Sequence, residues 1–192
     1  HYMSVEIRTT SLPSVLVIVP KRLQDQRGFF EETWNASVLI EFGVDISFVQ
    51  DNHSFSREKG TLRGLHYQSP PHAQDKLVRC TSGSIYDVAV DIRKGSSTYG
   101  QYFGTELSSK NGEQLLVPKG FLHGFLTLLP ETEVQYKCSD YYAPECDGSV
   151  LWNSLDIDWP LSKGISPKLS TKDENAQTFE SFDTPFILED EL

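Results

Sequence analysis

Between about residues 48 and 160 the apolar positions recur every second residue, in short runs broken by turn-forming residues. Tyr86, Val88, Val90 and Ile92 alternate with Asp87, Ala89, Asp91 and Arg93, which predicts a half-buried strand. Val134, Tyr136 and Cys138 share one face, with Glu133, Gln135 and Lys137 on the other, so the same rule directs Tyr136 inward. Asn111-Gly112 ahead of Gln114 to Val117 predicts a hairpin turn. Further turns are expected at Ser82-Gly83, Lys94-Gly95, Pro118-Lys119-Gly120 and Asp147-Gly148. Many short strands in succession predict an all-β sandwich or barrel.

Helical periodicity is confined to short pieces. One runs near Asn35 to Phe42, with Asn35 as N-cap and Gly43 closing it. Another begins at Ser170, where Ser170 and Asp173 have capping-box spacing. Ser14 to Val19 is almost continuously apolar, so it must be covered on both faces or paired across a subunit boundary, the latter pointing to a homodimer. No repeat, low-complexity tract or linker interrupts the chain. It reads as a single domain over 1–192, with a barrel core at about 48–160, an N-terminal strand extension at 13–47 and a C-terminal helical segment at 161–192.

At 192 residues and 38% hydrophobic content, one substantial core is expected. The net charge of -10 disfavours nucleic acid and anionic membrane surfaces, so an anionic ligand would need a locally basic pocket. Cys80, Cys138 and Cys146 have neither disulfide-framework nor zinc spacing, which points to a reducing compartment. No basic region precedes an apolar run at the N-terminus, and no stretch approaches the roughly 20 apolar residues that cross a bilayer. A cytoplasmic location is therefore expected. His1 and Tyr2 precede Met3, which reads as the native start, and both are set aside from the fold reading. Glu189-Asp190-Glu191 reads as a solvated tail.

Gly112 to His123 resembles the second motif of cupins, in which a proline and glycine turn presents a histidine into a barrel. Metal-binding cupins carry two histidines one residue apart and a later glutamate in the first motif, whereas here His66 is followed by Tyr67 and Gln68. Two separated imidazoles without a carboxylate fall short of the three protein ligands of a catalytic zinc site. No metal is expected, and His123 reads equally as a hydrogen-bonded core histidine.

Several blocks together resemble dTDP-4-dehydrorhamnose 3,5-epimerases. They are Arg27-Gly28-Phe29-Phe30-Glu31-Glu32, Phe48 to Ser54, Leu62-Arg63-Gly64-Leu65-His66-Tyr67-Gln68 and Gln74 to Cys80. Pro118 to Phe125, Tyr136 with Asp140-Tyr141-Tyr142-Ala143-Pro144, and Leu169-Ser170-Thr171-Lys172-Asp173 complete the set. These blocks stand in family order from about residue 13 to 175. The resemblance implies a cupin double-stranded β-helix, or jelly-roll barrel, with short peripheral helices. It also implies a dTDP-sugar substrate, dTDP-4-keto-6-deoxyglucose, whose ketone acidifies the hydrogens on C3 and C5, so no cofactor is expected.

The resemblance assigns roles residue by residue. His66 matches the base, Asp173 the carboxylate that orients it, Tyr136 the proton donor and Lys76 a cation near the C4 oxygen. Asp173 alone would read as a helix cap, Tyr136 as a core tyrosine and Lys76 as a surface lysine. Arg27 and Arg63 resemble diphosphate contacts, and a guanidinium suits paired phosphate oxygens. Glu32, Gln50, Asn52, His123 and Lys172 correspond to further substrate-contacting positions, and the rings of Phe29 and Tyr142 are candidates to pack on the sugar or base. Asp147 stands where many relatives carry glutamate, one methylene longer. Simple alternation puts Arg63 and His66 on opposite faces, so one of them must be redirected, for which a bulge at Gly64 is one route. Rival readings are a relative inverting a single centre, a 3,4-ketoisomerase, a metal-dependent cupin and a non-catalytic sugar-nucleotide binder.

Overall fold

The computed structural model describes residues 4–189. His1, Tyr2, Met3, Asp190 and Glu191, which carry the expected start and most of the expected tail, lie outside the described residues. The strands are β1 (Val5–Thr9), β2 (Leu16–Pro20), β3 (Leu23–Asp25), β4 (Gly28–Phe30), β5 (Gln50–Ser56), β6 (Leu62–Gln68) and β7 (Lys76–Ser82). They continue with β8 (Ser84–Asp91), β9 (Tyr102–Ser108), β10 (Gln114–Val117), β11 (Phe121–Thr127), β12 (Thr132–Cys138) and β13 (Asp147–Ser149). Two short helices accompany them, α1 (Ala36–Glu41) and α2 (Thr171–Glu174). No described helix is long and apolar enough to cross a membrane.

Two antiparallel sheets face each other, one ordered β1-β2-β10-β7-β12-β5 and the other β13-β6-β11-β8-β9, with β3 and β4 as a separate hairpin. From β7 to β12 the chain switches sheet at the β7–β8, β9–β10, β10–β11 and β11–β12 connections, which winds it into the double-stranded β-helix. Between the sheets lies a core of Val17, Val78, Cys80, Ile85, Ala89, Leu115, Phe121, Phe125 and Val134. Fully burying each such side chain stabilises the fold by about 1.5–3 kcal/mol for a Val, Leu or Phe.

Both sheets are also covered on their outer faces. Against the six-stranded sheet, α1 brings Val38 and Leu39 onto Ile18, Leu77 and Leu116. Its Asn35 cap accepts from the Val38 N–H, and Gly43 follows with φ +83°, as the sequence predicts. The five-stranded sheet is covered by the C-terminal chain, whose Trp159, Phe182 and Phe186 pack on Leu62, Val88, Val90 and Ile92. That cover is mostly extended, held by bridges such as Val150 to Gln177, so 161–189 is not the helical segment expected; α2 is its one helix.

This double cover corrects other expectations. Strand β8 is buried on both faces, because Val88 and Val90 pack outward beneath the C-terminal chain while Ala89 packs inward. Asp87 and Asp91, 0% exposed, are therefore interior groups. Residues 16–20 are not an extension beyond the barrel: β2 is paired on both sides, by β1 and β10. Val17 faces the inner core and Ile18 the α1 layer, so one chain covers the apolar run and that run no longer argues for a dimer. Asn111-Gly112 does turn the chain, the Asn111 side chain accepting from the Ser108 and Glu113 amides. It joins strands of different sheets, however, and β10 pairs with β2 and β7 instead of β9. Asp147-Gly148 belongs to β13 and pairs with Gln68 and Tyr67.

Candidate active site

The site begins with an irregularity in β6. His66 pairs with His123 of β11, but the next pairing is Arg63 with Phe125, so three steps on β6 match two on β11. Gly64 sits inside this bulge with φ +127°, and a Cβ there would lie 2.7 Å from the Gly124 Cα and 2.9 Å from the His123 carbonyl oxygen. The extra residue reverses the facing of every side chain beyond it on the strand. Arg63 and His66 consequently line the same cavity, as a bulge at Gly64 requires.

The cavity is about 500 Å³ in volume, and its lining includes Arg63, His66, Lys76, His123, Tyr136, Lys172 and Asp173. His66 comes from the five-stranded sheet and Tyr136 from the six-stranded one, so imidazole and phenol approach from opposing walls. His66 Nε2 lies 2.7 Å from Asp173 Oδ1, across 107 positions of sequence, which leaves Nδ1 as the ring nitrogen for a ligand. The other Asp173 oxygen accepts from the Gly64 amide at 3.1 Å. Burial raises the Asp173 pKa, but the hydrogen bond and charge of His66 outweigh it and hold the carboxyl below its ordinary value.

Asp173 is also held by the cap seen in sequence. Its own N–H donates to Ser170 Oγ at 3.1 Å, so the backbone serves the helix start while the carboxylate serves the histidine. The two readings of this residue are compatible because they use different atoms.

Lys76 and Tyr136 meet at the inner end, the Lys76 Nζ 5.7 Å from the Tyr136 ring centroid. Burial pushes the lysine below its ordinary range, opposed by the acidic groups nearby, the Asp147 and Asp87 carboxylates among them. Burial likewise raises the Tyr136 phenol, opposed by a hydrogen bond with Asn52. A phenol whose neutral form is favoured at neutral pH is suited to donate a proton.

Behind them is a second pair, His123 Nε2 to Asp87 Oδ1 at 2.6 Å, with side chains 6% and 0% exposed. The His123 ring centroid is 6.3 Å from that of Tyr136. Asp87 Oδ2 is buried without a hydrogen-bond partner. Sequence reasoning did not single out Asp87; its signal is its place opposite the apolar face of β8, a side that alternation assigns to solvent and that the fold turns into the barrel interior. Lys168 and Ser54 also line the cavity and were missed.

The remaining predicted residues lie nearby or apart. Lys172 forms an ion pair with Asp147, which brings Asp147 to the cavity rim. Burial disfavours the Lys172 charge, yet its hydrogen bond to Asp147 prevails and raises the pKa. Asn52 lies in a neighbouring groove that shares Tyr136. Gln50 bonds to Asn52 at 3.0 Å and accepts from the Tyr142 amide at 3.0 Å, leaving the Tyr142 ring exposed. Arg27 is 91% exposed and paired with Asp25 on the β3–β4 hairpin. Phe29 packs under Arg22, whose guanidinium carbon is 4.0 Å from its centroid, and Glu32 bonds with Asn35. Arg27, Phe29 and Glu32 do not line their own chain's cavity.

Among the described residues, no three or more His, Cys, Asp or Glu side chains are grouped as a metal would need. Cys80, Cys138 and Cys146 are buried free thiols. The arrangement can move protons on opposite faces of a bound molecule and stabilise an oxyanion between them.

The family model for dTDP-4-dehydrorhamnose 3,5-epimerase matches residues 9–181. The dTDP-4-dehydrorhamnose 3,5-epimerase of Salmonella typhimurium is 50% identical over 170 residues, covering 87% of this chain and 91% of that protein. Among solved structures, the chain resembles a dTDP-6-deoxy-D-glucose-3,5-epimerase from Legionella pneumophila in complex with dTDP-4-keto-L-rhamnose. The TM-score is 0.88 at 45% identity, covering 93% of this chain and 95% of that one. A 3'-monoepimerase from Streptomyces bikiniensis in complex with dTDP-quinovose aligns with TM-score 0.84 at 32% identity, covering 91% and 88%.

Proposed function

Since the chain belongs to the dTDP-4-dehydrorhamnose 3,5-epimerase family, we propose that this cavity inverts C3 and C5 of dTDP-4-keto-6-deoxy-D-glucose, giving dTDP-4-keto-L-rhamnose. The C4 ketone makes the flanking C–H bonds acidic, so removal of either proton leaves an enolate. His66 takes the proton and becomes an imidazolium, which the Asp173 carboxylate at 2.7 Å stabilises and keeps in orientation. Tyr136, on the opposite wall, returns a proton to the other face and so inverts the centre. Lys76 stabilises the enolate oxygen by its charge. Neither inversion changes an oxidation state, so proton transfer accounts for the chemistry. Arg63, at the same cavity, takes the diphosphate.

The observation that carries this reading is one cavity lined from two sheets by the His66–Asp173 pair, Tyr136 and Lys76. Incubating the protein with the ketosugar nucleotide in deuterated water tests it. NMR is expected to show deuterium and inverted configuration at both C3 and C5. Label and inversion at a single centre would favour the rival reading that the likeness to a 3'-monoepimerase supports; unlabelled, unchanged sugar would leave a non-catalytic binder.

The protein acts as a homodimer in this reading. Arg27, Phe29 and Glu32 lie on or just after the β3–β4 hairpin, where Phe29 and Phe30 are 53% and 65% exposed, and they complete the neighbouring subunit's site. Mixing Arg27→Ala with His66→Ala protein checks this, because heterodimers would regain one intact site. The free buried thiols fit a cytoplasmic setting.

A further inference from the structure

The cavity lining carries four cations, Arg63, Lys76, Lys168 and Lys172, against the carboxylate of Asp173, which is committed to His66. In a chain of net charge -10 this is the locally basic site that an anion requires. The four are not equally available. The Arg63 guanidinium donates to neutral oxygens, Ser56 Oγ at 3.1 Å and the Phe55 carbonyl at 3.0 Å, so its charge is uncompensated by these bonds. Lys172 is paired with Asp147 and Lys168 with Glu58.

The Lys168–Glu58 pair is built so that side chains alone can rearrange. The Lys168 N–H donates to the Gly60 carbonyl at 2.8 Å, and the Lys168 carbonyl accepts from the Leu62 N–H at 2.9 Å. This pins its backbone beside the start of β6, one residue from Arg63. On the other side, the Glu58 carbonyl accepts from Thr61 Oγ1 at 2.8 Å and Thr127 Oγ1 at 2.9 Å. The charged ends are 64% and 50% exposed. An ion pair so wet contributes little, and breaking it costs little.

We propose that Lys168 is a diphosphate-binding residue masked by Glu58: the incoming diphosphate displaces the Glu58 carboxylate and takes Lys168 together with Arg63. This rests on the reading that the substrate is a nucleoside diphosphate sugar. A diphosphate offers Lys168 more charge and more acceptor oxygens than one carboxylate does. Glu58 then sets the affinity of the site from outside it, keeping binding weak enough for product to leave.

A double-mutant cycle tests the exchange, with steady-state kinetics on the ketosugar nucleotide and calorimetric titration of dTDP. Lys168→Gln is expected to raise both KM and the Kd for dTDP roughly five- to tenfold, with kcat within about twofold, because the contact is made equally in ground and transition states. Glu58→Gln is expected to lower both constants by roughly two- to threefold by unmasking the lysine. In the double variant Glu58→Gln is expected to have no further effect, since nothing remains to unmask. An unchanged dTDP Kd in Lys168→Gln overturns the proposal. So does a Glu58→Gln variant that weakens binding as Lys168→Gln does, which would mark the pair as purely structural. Wild-type protein that neither binds dTDP nor epimerises would instead refute the functional reading on which this rests.

Discussion

His66 and His123 stand directly opposite each other in the β6–β11 ladder, yet each ring is claimed by a different carboxylate, Asp173 for one and Asp87 for the other. In a metal-binding cupin, two imidazoles so placed would be drawn together by a shared ion. Here each has an Nε2 committed to its own acid. The pair is divided between a partly exposed ring that lines the cavity and a buried ring behind Tyr136.

That division predicts indifference to chelation. Protein dialysed exhaustively against a strong chelator is expected to keep its full turnover, and added zinc is expected to restore nothing. A loss on dialysis that zinc recovers would contradict the proton-transfer mechanism.

His66→Ala and Tyr136→Phe are each expected to lower kcat by on the order of 10²-fold or more, with the Kd for dTDP little changed. Rapid-quench turnover and dTDP titration separate the two quantities. Undiminished turnover in both variants would leave the cavity as a binding site alone.

Lys76 has its pKa pushed below the ordinary lysine range by burial. Its charge is therefore lost at lower pH than an exposed lysine would lose it, and kcat is expected to fall on the alkaline side as that proton leaves. Lys76→Met is expected to abolish this limb and to cost about 10²–10³-fold in kcat, the range for loss of a group that stabilises an oxyanion. The pH profile of both proteins provides the check.

Asp173 is held below its ordinary pKa in the folded chain, so its charge favours folding. That contribution is fully present above the unfolded carboxyl value of about 3.9 and is lost as pH falls through the depressed folded value. The Tm gap between wild type and Asp173→Asn is therefore expected to hold steady from neutrality to about pH 4 and to close below it. Activity in Asp173→Asn is expected to fall by roughly 10²-fold or more because the imidazole loses its orienting charge.

Gly64→Ala strikes the bulge itself. The added methyl meets backbone at 2.7 and 2.9 Å, and φ +127° is a conformation that L side chains rarely adopt. A loss of about 1–3 kcal/mol from the backbone alone is expected, with the clash adding to it. Denaturant unfolding measures that loss. Arg63 and His66 would no longer share a face, so turnover is expected to fall even under conditions where the variant stays folded.

Where a property depends on neighbours in the chain, the residues were sufficient. Asn35 and Ser170 cap helices because a side-chain oxygen reaches an amide three residues on, and Tyr136 points inward because a strand alternates. The opposite parity of Arg63 and His66 required one of them to be redirected, with the glycine between them as a candidate place, and the β6–β11 pairing decided that a bulge does it. Periodicity, by contrast, reports which residues share a face and is silent on what covers that face. Alternation in β8 predicts half-burial because its apolar side must find a core, and no local rule places Trp159 and Phe182 over it or turns Asp87 toward His123. Turn chemistry at Asn111-Gly112 marks a reversal without saying which strand receives β10. The site belongs to the same class: His66 and Asp173 meet across 107 positions, and Tyr136 and Lys76 face them from another sheet. The chain's own chemistry supplies the groups, but bringing distant ones within hydrogen-bond reach is settled by how two sheets and a C-terminal strap bury one another.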